Sequence, residues 1–253
     1  MKKTIHLYQF LQKQLHQLEF VYWLQKKYPS VYQFLRKRLA LKYFTGLPLT
    51  ILVIILLLNS LLFSEIAENI VNSEPMIRID QQLTLFLFQR RNSTISILLL
   101  GTTQLASQWI SIGMVVAIST RFIWQRRYSI VLAWLTVMIG MGACVYWGKL
   151  FFQRVRPLHV AYHPISTFSF PSGHSATAMA LYGFLAYLII RKINRFTFQL
   201  LIISLSIGII LLIGFSRIYL GFHFLSDVLG GYLVGLSWMI AGIIWVELSR
   251  KNI

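Results

Sequence analysis

Six long apolar runs leave this chain little choice of fold. They lie near residues 47–64, 95–120, 129–150, 173–190, 197–216 and 227–247. Each is about 18 to 26 residues long, enough to cross roughly 30 Å of hydrocarbon as a helix rising about 1.5 Å per residue. Only 12% of the 253 residues are charged, against about a quarter in a soluble domain. The expected fold is therefore all-α: a polytopic membrane protein with six transmembrane helices in a bundle.

The net charge of +17 would ordinarily raise the question of nucleic acid. Here the basic residues sit beside the apolar runs, and no folded polar surface is left to form a groove. Membrane orientation and anionic lipid account for them, and no nucleic-acid partner is expected. The lone cysteine, Cys144, lies inside an apolar run. It excludes an internal disulfide and a cysteine metal site, and reads as a packing residue.

Two regions are expected. Residues 1–45 form a basic, amphipathic tail in which Leu7, Phe10, Leu11, Leu15 and Leu18 recur at helical spacing. That pattern suits a helix lying on the bilayer surface, or a tail whose bases only fix orientation. Residues 46–253 form the six-span domain. The first apolar run begins near Leu47, behind this long tail, so a cleavable signal peptide is not expected. Between the first two runs, Glu65 to Arg91 turns from acidic to amphipathic, with Asp80, Leu83, Leu87 and Arg90 on one pattern. A short interfacial helix is expected there.

Charge orients the bundle. Outside the motif segments, the basic clusters are the tail, Arg121/Arg126/Arg127, Arg191/Lys192/Arg195 and Arg250/Lys251. Six spans put all four on one side, which the positive-inside rule makes the cytoplasm, with both termini. Glu65, Glu68, Glu74 and Asp80 fall on the other side; Arg78, Arg90 and Arg91 do too, against the rule.

Three short segments carry the chemistry: Lys149 to Pro157 (KLFFQRVRP), Pro171 to His174 (PSGH) and Ser216 to Asp227 (SRIYLGFHFLSD). The span count puts all three on the non-cytoplasmic side, where they can converge on one site. Their residues suit a phosphate group. Lys149, Arg156 and Arg217 supply positive charge, Arg in bidentate geometry and Lys as a point charge. Ser172 can cap the helix that follows it, and Gly173 lets the backbone approach an anion beside free N–H groups. His223 and Asp227 stand four apart, on one face if that stretch is helical. A carboxylate on one imidazole nitrogen leaves the other free to attack phosphorus, and His174 is a second histidine able to protonate what leaves.

These segments resemble the signature of the type 2 phosphatidic acid phosphatase superfamily of membrane lipid phosphatases, which shares its site with vanadium haloperoxidases. That signature, K-x6-RP, then PSGH, then SR-x5-H-x3-D, is met at Lys149…Arg156-Pro157, Pro171-Ser172-Gly173-His174 and Ser216-Arg217…His223…Asp227. The resemblance implies that His223 is a nucleophile forming a phosphohistidine that water hydrolyses. It implies that Asp227 orients His223 and His174 protonates the leaving group. Lys149, Arg156, Ser172, Gly173 and Arg217 would hold the phosphate, with no cofactor and no required metal. His159 and His163 share the same outer loop and offer a zinc alternative with His174 and His223. The loop from Leu158 to Phe170 is expected beside the site, with Tyr162, Phe168 and Phe170 near lipid chains or headgroups.

The expected activity is a lipid phosphatase acting at the outer face of a bacterial inner membrane, on the periplasmic or extracellular side. The expected partners are a lipid phosphate substrate and the bilayer. Undecaprenyl pyrophosphate, phosphatidylglycerophosphate and phosphatidic acid all present a suitable terminal phosphate, with undecaprenyl pyrophosphate the first choice. A lipid phosphotransferase or lipid A phosphatase would use the same site. A non-enzymatic transporter or scaffold would carry polar residues deep in its spans, whereas here the ionisable groups gather at one end.

Overall fold

The computed structural model describes residues 19–40, 44–72 and 74–249. The apolar repeat from Leu7 to Leu18 lies outside them. The chain divides into two compact units, residues 1–54 and 55–253. The described part of the first holds α1 (Glu19–Lys27), α2 (Pro29–Arg38) and the start of α3 (Leu47–Asn72). Pro29 opens α2 at a position where its missing N–H is no loss. The Thr50 hydroxyl ties the start of α3 to the carbonyls of Arg38 and Gly46, 3.0 Å from each.

The second unit continues α3 and adds α4 (Glu74–Gln89), α5 (Ser93–Gln104), α6 (Gln108–Trp124), α7 (Tyr128–Phe152), α8 (Gly173–Ile190), α9 (Phe196–Tyr219) and α10 (Leu225–Ser249). Six segments are long and apolar enough to cross a membrane: α3, α5 with α6, α7, α8, α9 and α10. A helix meets its backbone hydrogen bonds within the segment, as hydrocarbon requires. The outside of the bundle is apolar too: Leu61, Ile97, Leu98 and Ile139 are all exposed, a surface that suits lipid rather than water.

The core sits between α7, α8 and α10. Trp134, Val137 and Met141 of α7 pack against Ala176, Ala180, Leu181 and Phe184 of α8. Trp134 and Phe184 stack with ring centroids 5.3 Å apart. Small residues bring α10 close to α8. A Cβ on Gly231 would run into the Ser172 carbonyl oxygen, and one on Gly235 into that of Ala176.

The second span departs from the expectation of one continuous helix. It breaks at Leu105–Ser107 into α5 and α6. The carbonyl of Leu105 leaves the helical pattern and accepts a hydrogen bond from the Tyr182 hydroxyl at 2.8 Å, so the break costs no buried acceptor. A helix does form between the first two runs, as α4, but its amphipathic reading is corrected at Asp80. That side chain is 1% exposed and faces protein, not water.

Candidate active site

The three signature segments meet at one end of the bundle, at helix ends. Lys149 lies in the last turn of α7. The chain leaves that helix through Gln153 in the left-handed conformation (φ 45°) and carries Arg154 and Arg156 in a non-helical stretch. Ser172 is the N-cap of α8, its hydroxyl accepting from the Ser175 N–H at 3.4 Å, and Gly173 and His174 form the first turn. Ser216 and Arg217 end α9, and Asp227 sits in the first turn of α10. His223 lies in the turn between those two helices.

Gly221 makes that turn possible. Its φ of 71° is in the left-handed region, and a Cβ there would strike the Val160 carbonyl oxygen. The turn also corrects the expected helical face. His223 precedes α10, and Asp227 reaches back across the helix start, its Oδ2 accepting from the Phe224 N–H at 2.9 Å. This is half of a capping box, with the carboxylate three residues into the helix.

Arg156 is held by the loop carbonyls. Its Nε donates to Thr167 O at 2.6 Å and its Nη1 to Phe222 O at 2.6 Å. The same Nη1 lies 3.2 Å from Nε2 of His223. A guanidinium has only donors, so Nε2 is the acceptor and the imidazole proton belongs on Nδ1. That nitrogen is 3.4 Å from Asp227 Oδ2. The His223 imidazole is 2% exposed. Burial, then the charges of Arg217, Arg156 and Lys149, hold its pKa well below the usual histidine range; the Ser169 carbonyl opposes them. His223 is therefore neutral near pH 7.

Lys149 donates to the carbonyl of Phe168. Arg217 is 5% exposed, lies over the Phe222 ring at 4.3 Å and donates through Nη1 to Thr103 Oγ1 at 3.0 Å. Its buried Nε has no hydrogen-bond partner in the protein. His174 stands in the field of Arg217, His223, Arg156 and Lys149. The arrangement gathers three cations and two histidines at one end of the bundle, and the carboxylate beside His223 is already engaged.

That carboxylate belongs to Asp227, which is fully buried. Arg154 Nη1 donates to its Oδ1 at 2.6 Å, while Nη2 donates to Asp80 Oδ2 at 2.7 Å. Asp80 also accepts from the Ser226 N–H at 3.0 Å and from the Ser226 hydroxyl. Asp80, Arg154 and Thr103 thus support the site, although none has a place in the signature. Nothing in the spacing identifies them; an acid on an amphipathic helix and a threonine in an apolar run look ordinary.

One other expectation changes. Phe170 does not face lipid. It is fully buried, packs with Ala67 and Ile70, and meets the rings of Phe63 and Phe152. Arg91, which ran against the charge rule, donates from Nη2 to the Tyr219 carbonyl at 2.9 Å and so closes the end of α9. His163 packs its ring on Phe222 at 4.5 Å. Among the described residues, no three of His, Cys, Asp and Glu gather as a metal site.

Fold and site define a polytopic helical membrane protein with a buried cationic histidine site at one end of its bundle. Within that class the family model of the PAP2 superfamily matches residues 130–251 of the chain. Phosphatidylglycerophosphatase B of Bacillus subtilis (strain 168) is 40% identical over 89 residues, 35% of this chain. The chain spans only 44% of that relative's length. The crystal structure of the first transmembrane PAP2 type phosphatidylglycerolphosphate phosphatase from Bacillus subtilis matches with a TM-score of 0.70 at 25% identity, covering 78% of this chain and 96% of that one. The crystal structure of Aquifex aeolicus LpxE matches in fold, with a TM-score of 0.51 at 23% identity over 66% of this chain and 94% of that one.

Proposed function

We propose that this protein is a membrane lipid phosphatase that removes the terminal phosphate of a lipid phosphate or diphosphate through a phosphohistidine. The observation that carries the reading is the 3.2 Å approach of Arg156 Nη1 to His223 Nε2. It sets a phosphate-binding cation beside the one imidazole nitrogen that keeps its lone pair.

Lys149, Arg156, Arg217, Ser172 and Gly173 hold the phosphate oxygens, with the start of α8 and the unpartnered Arg217 Nε contributing donors. His223 Nε2 attacks phosphorus in line as the bond to the lipid oxygen breaks, and His174 gives that oxygen its proton. Water then attacks the phosphohistidine, His174 takes a proton from it, and inorganic phosphate leaves with both histidines restored. Asp227, held by Arg154, faces the Nδ1 proton and steadies the imidazole. Charge neutralisation comes from side chains, so no metal is required.

A groove of about 480 Å³ between α6, α7 and α8, lined by Met141, Val145, His174 and Thr177 among others, suits a lipid tail approaching from the bilayer. The names of the Bacillus subtilis relatives bring phosphatidylglycerophosphate forward as the first substrate to try, ahead of undecaprenyl pyrophosphate and phosphatidic acid. The basic connections at the opposite end of the bundle favour a cytoplasmic location for that end and for both termini. The same asymmetry supports a site at the outer face of an inner membrane. Residues 46–253 are the phosphatase domain in this reading, and residues 1–45 a tail at the membrane surface.

The test is phosphate release by purified protein in EDTA from phosphatidylglycerophosphate, undecaprenyl pyrophosphate and phosphatidic acid, with lipid acceptors added in parallel. Release from at least one lipid, abolished in His223→Ala, is expected. No turnover of any of them, or turnover only with added divalent metal, overturns the proposal.

A further inference from the structure

At the end of the bundle opposite the signature residues, a concave site of about 460 Å³ lies between the α6–α7 connection, the end of α8 and the last turns of α10. Its inner wall is apolar, built from Phe122, Ile130, Leu188 and Val246. Its rim is cationic, and the cations come from two separate connections: Arg126 and Arg127 from one, Arg191 and Lys192 from the other. Arg191 has a carboxylate partner, Glu247 at 3.3 Å. Among the described residues, no ion pair engages Arg126, Arg127 or Lys192. Lys192 lies over the Phe122 ring at 5.3 Å. Its pKa is lowered by burial first and then by the charges of Arg121, Arg127 and Arg191.

The backbone adds an independent observation. Helix α6 ends in a Schellman motif, with Arg127 N–H bonded to Phe122 O at 2.9 Å and Arg126 N–H to Ile123 O at 2.8 Å. The left-handed position of that motif normally takes glycine, but here it is Arg126, with φ 55°. A guanidinium is thus kept at the rim at a conformational cost. A basic loop that served only to orient the spans would need charge, not convergence, and a glycine at that position would leave it basic.

We infer that this site binds the phosphate headgroup of an anionic phospholipid, with Arg126, Arg127 and Lys192 on the phosphate and an acyl chain against Phe122, Leu188 and Val246. An amphipathic cavity with a cationic rim and an apolar wall matches that ligand at both ends; free phosphate would use only the rim. The site stands apart from the proposed catalytic residues and does not depend on their roles.

The test uses the full chain in detergent, with dioleoyl phosphatidylglycerol, dioleoyl phosphatidylcholine and inorganic phosphate as probes. Lipid retention is counted by native mass spectrometry, and stabilisation is read from thermal melts. The wild type is expected to retain phosphatidylglycerol about tenfold better than phosphatidylcholine. The triple variant Arg126→Gln/Arg127→Gln/Lys192→Gln should lose that preference, while Arg36→Gln/Lys37→Gln/Arg38→Gln, which removes equal charge elsewhere, should keep it. Undiminished retention in the first triple variant, or equal retention of the two lipids by the wild type, overturns the inference. Equal stabilisation by inorganic phosphate that is lost in the first triple variant overturns the lipid assignment in favour of a free anion; phosphate stabilisation that survives in that variant belongs to the catalytic site and leaves the lipid assignment standing on the retention result. If the triple variant does not fold, Arg126→Gln and Lys192→Gln singly decide, each expected to lower retention severalfold; wild-type retention in both overturns the site.

Discussion

Asp80 and Arg154 are 74 positions apart in sequence and 2.7 Å apart in space, where Nη2 of the arginine donates to Oδ2 of the aspartate. The other half of the same guanidinium holds Asp227 at 2.6 Å. One cation thus serves two buried carboxylates, one on α4 and one beside His223. Removing one member of such a buried group leaves the others uncompensated, at a cost of about 3–5 kcal/mol. Arg154→Met is expected to lower stability by that order, seen as an earlier thermal transition in detergent. Asp80→Asn keeps an acceptor for the Ser226 N–H and should cost less. A transition unmoved in Arg154→Met would show that the triad is not a determinant of the fold.

The neutral state of His223 makes a prediction about pH. Attack requires the unprotonated imidazole, and burial among Arg217, Arg156 and Lys149 holds the pKa well below 6.5. Activity dependent on His223 should therefore persist as pH falls through 6.5 and be lost only as the pH approaches the depressed value. The acid limb of kcat/KM reports this group in the free enzyme, once the substrate phosphate's own titration is measured separately. Arg156→Gln removes one of the charges that depress it. The variant should lose affinity for phosphate and move the acid limb to higher pH; an unmoved limb would refute the electrostatic coupling.

Thr103 lies in α5, far from the signature in sequence, yet its Oγ1 accepts from Arg217 Nη1 at 3.0 Å. Thr103→Val keeps the shape and removes the acceptor. A hydrogen bond to a charged group contributes about 1.5–3 kcal/mol, so inhibition by vanadate or phosphate should weaken about tenfold or more. The thermal transition should fall too, since a buried guanidinium N–H loses its acceptor, and Thr103→Ser, which keeps the hydroxyl, should restore both. Unchanged inhibition would mean that Arg217 is oriented by other means.

The close approach of α10 to α8 places Gly231 under the Ser172 carbonyl. In Gly231→Ala the added methyl must push that carbonyl, and with it the start of α8. Overpacking of this kind costs about 1–3 kcal/mol. Turnover is expected to fall more steeply than stability, because Ser172, Gly173 and His174 move together. Gly208→Ala, where a Cβ meets nothing, is the matched control and should leave both unchanged.

The lengths and apolar character of the six runs, and the three internally spaced segments, were readable because both are local. Hydrocarbon thickness sets how long a span must be, and reaction chemistry sets which side chains a signature carries. Tertiary structure decided what depends on which helices touch. Asp80 reads as a surface acid on an amphipathic helix and becomes a buried partner of Arg154 only when α4 meets the stretch after α7 and the first turn of α10. Phe170 reads as a lipid-facing ring and becomes core because Phe63 and Phe152 arrive on either side of it. The break after Gln104 is tolerated because Tyr182, on another helix, accepts the role of donor to the freed carbonyl. The sequence alone determined how many times the chain can cross and which residues are the candidates to handle an anion. The packing of distant helices determined how those residues are held, since burial and pairing belong to neighbours that no local spacing specifies.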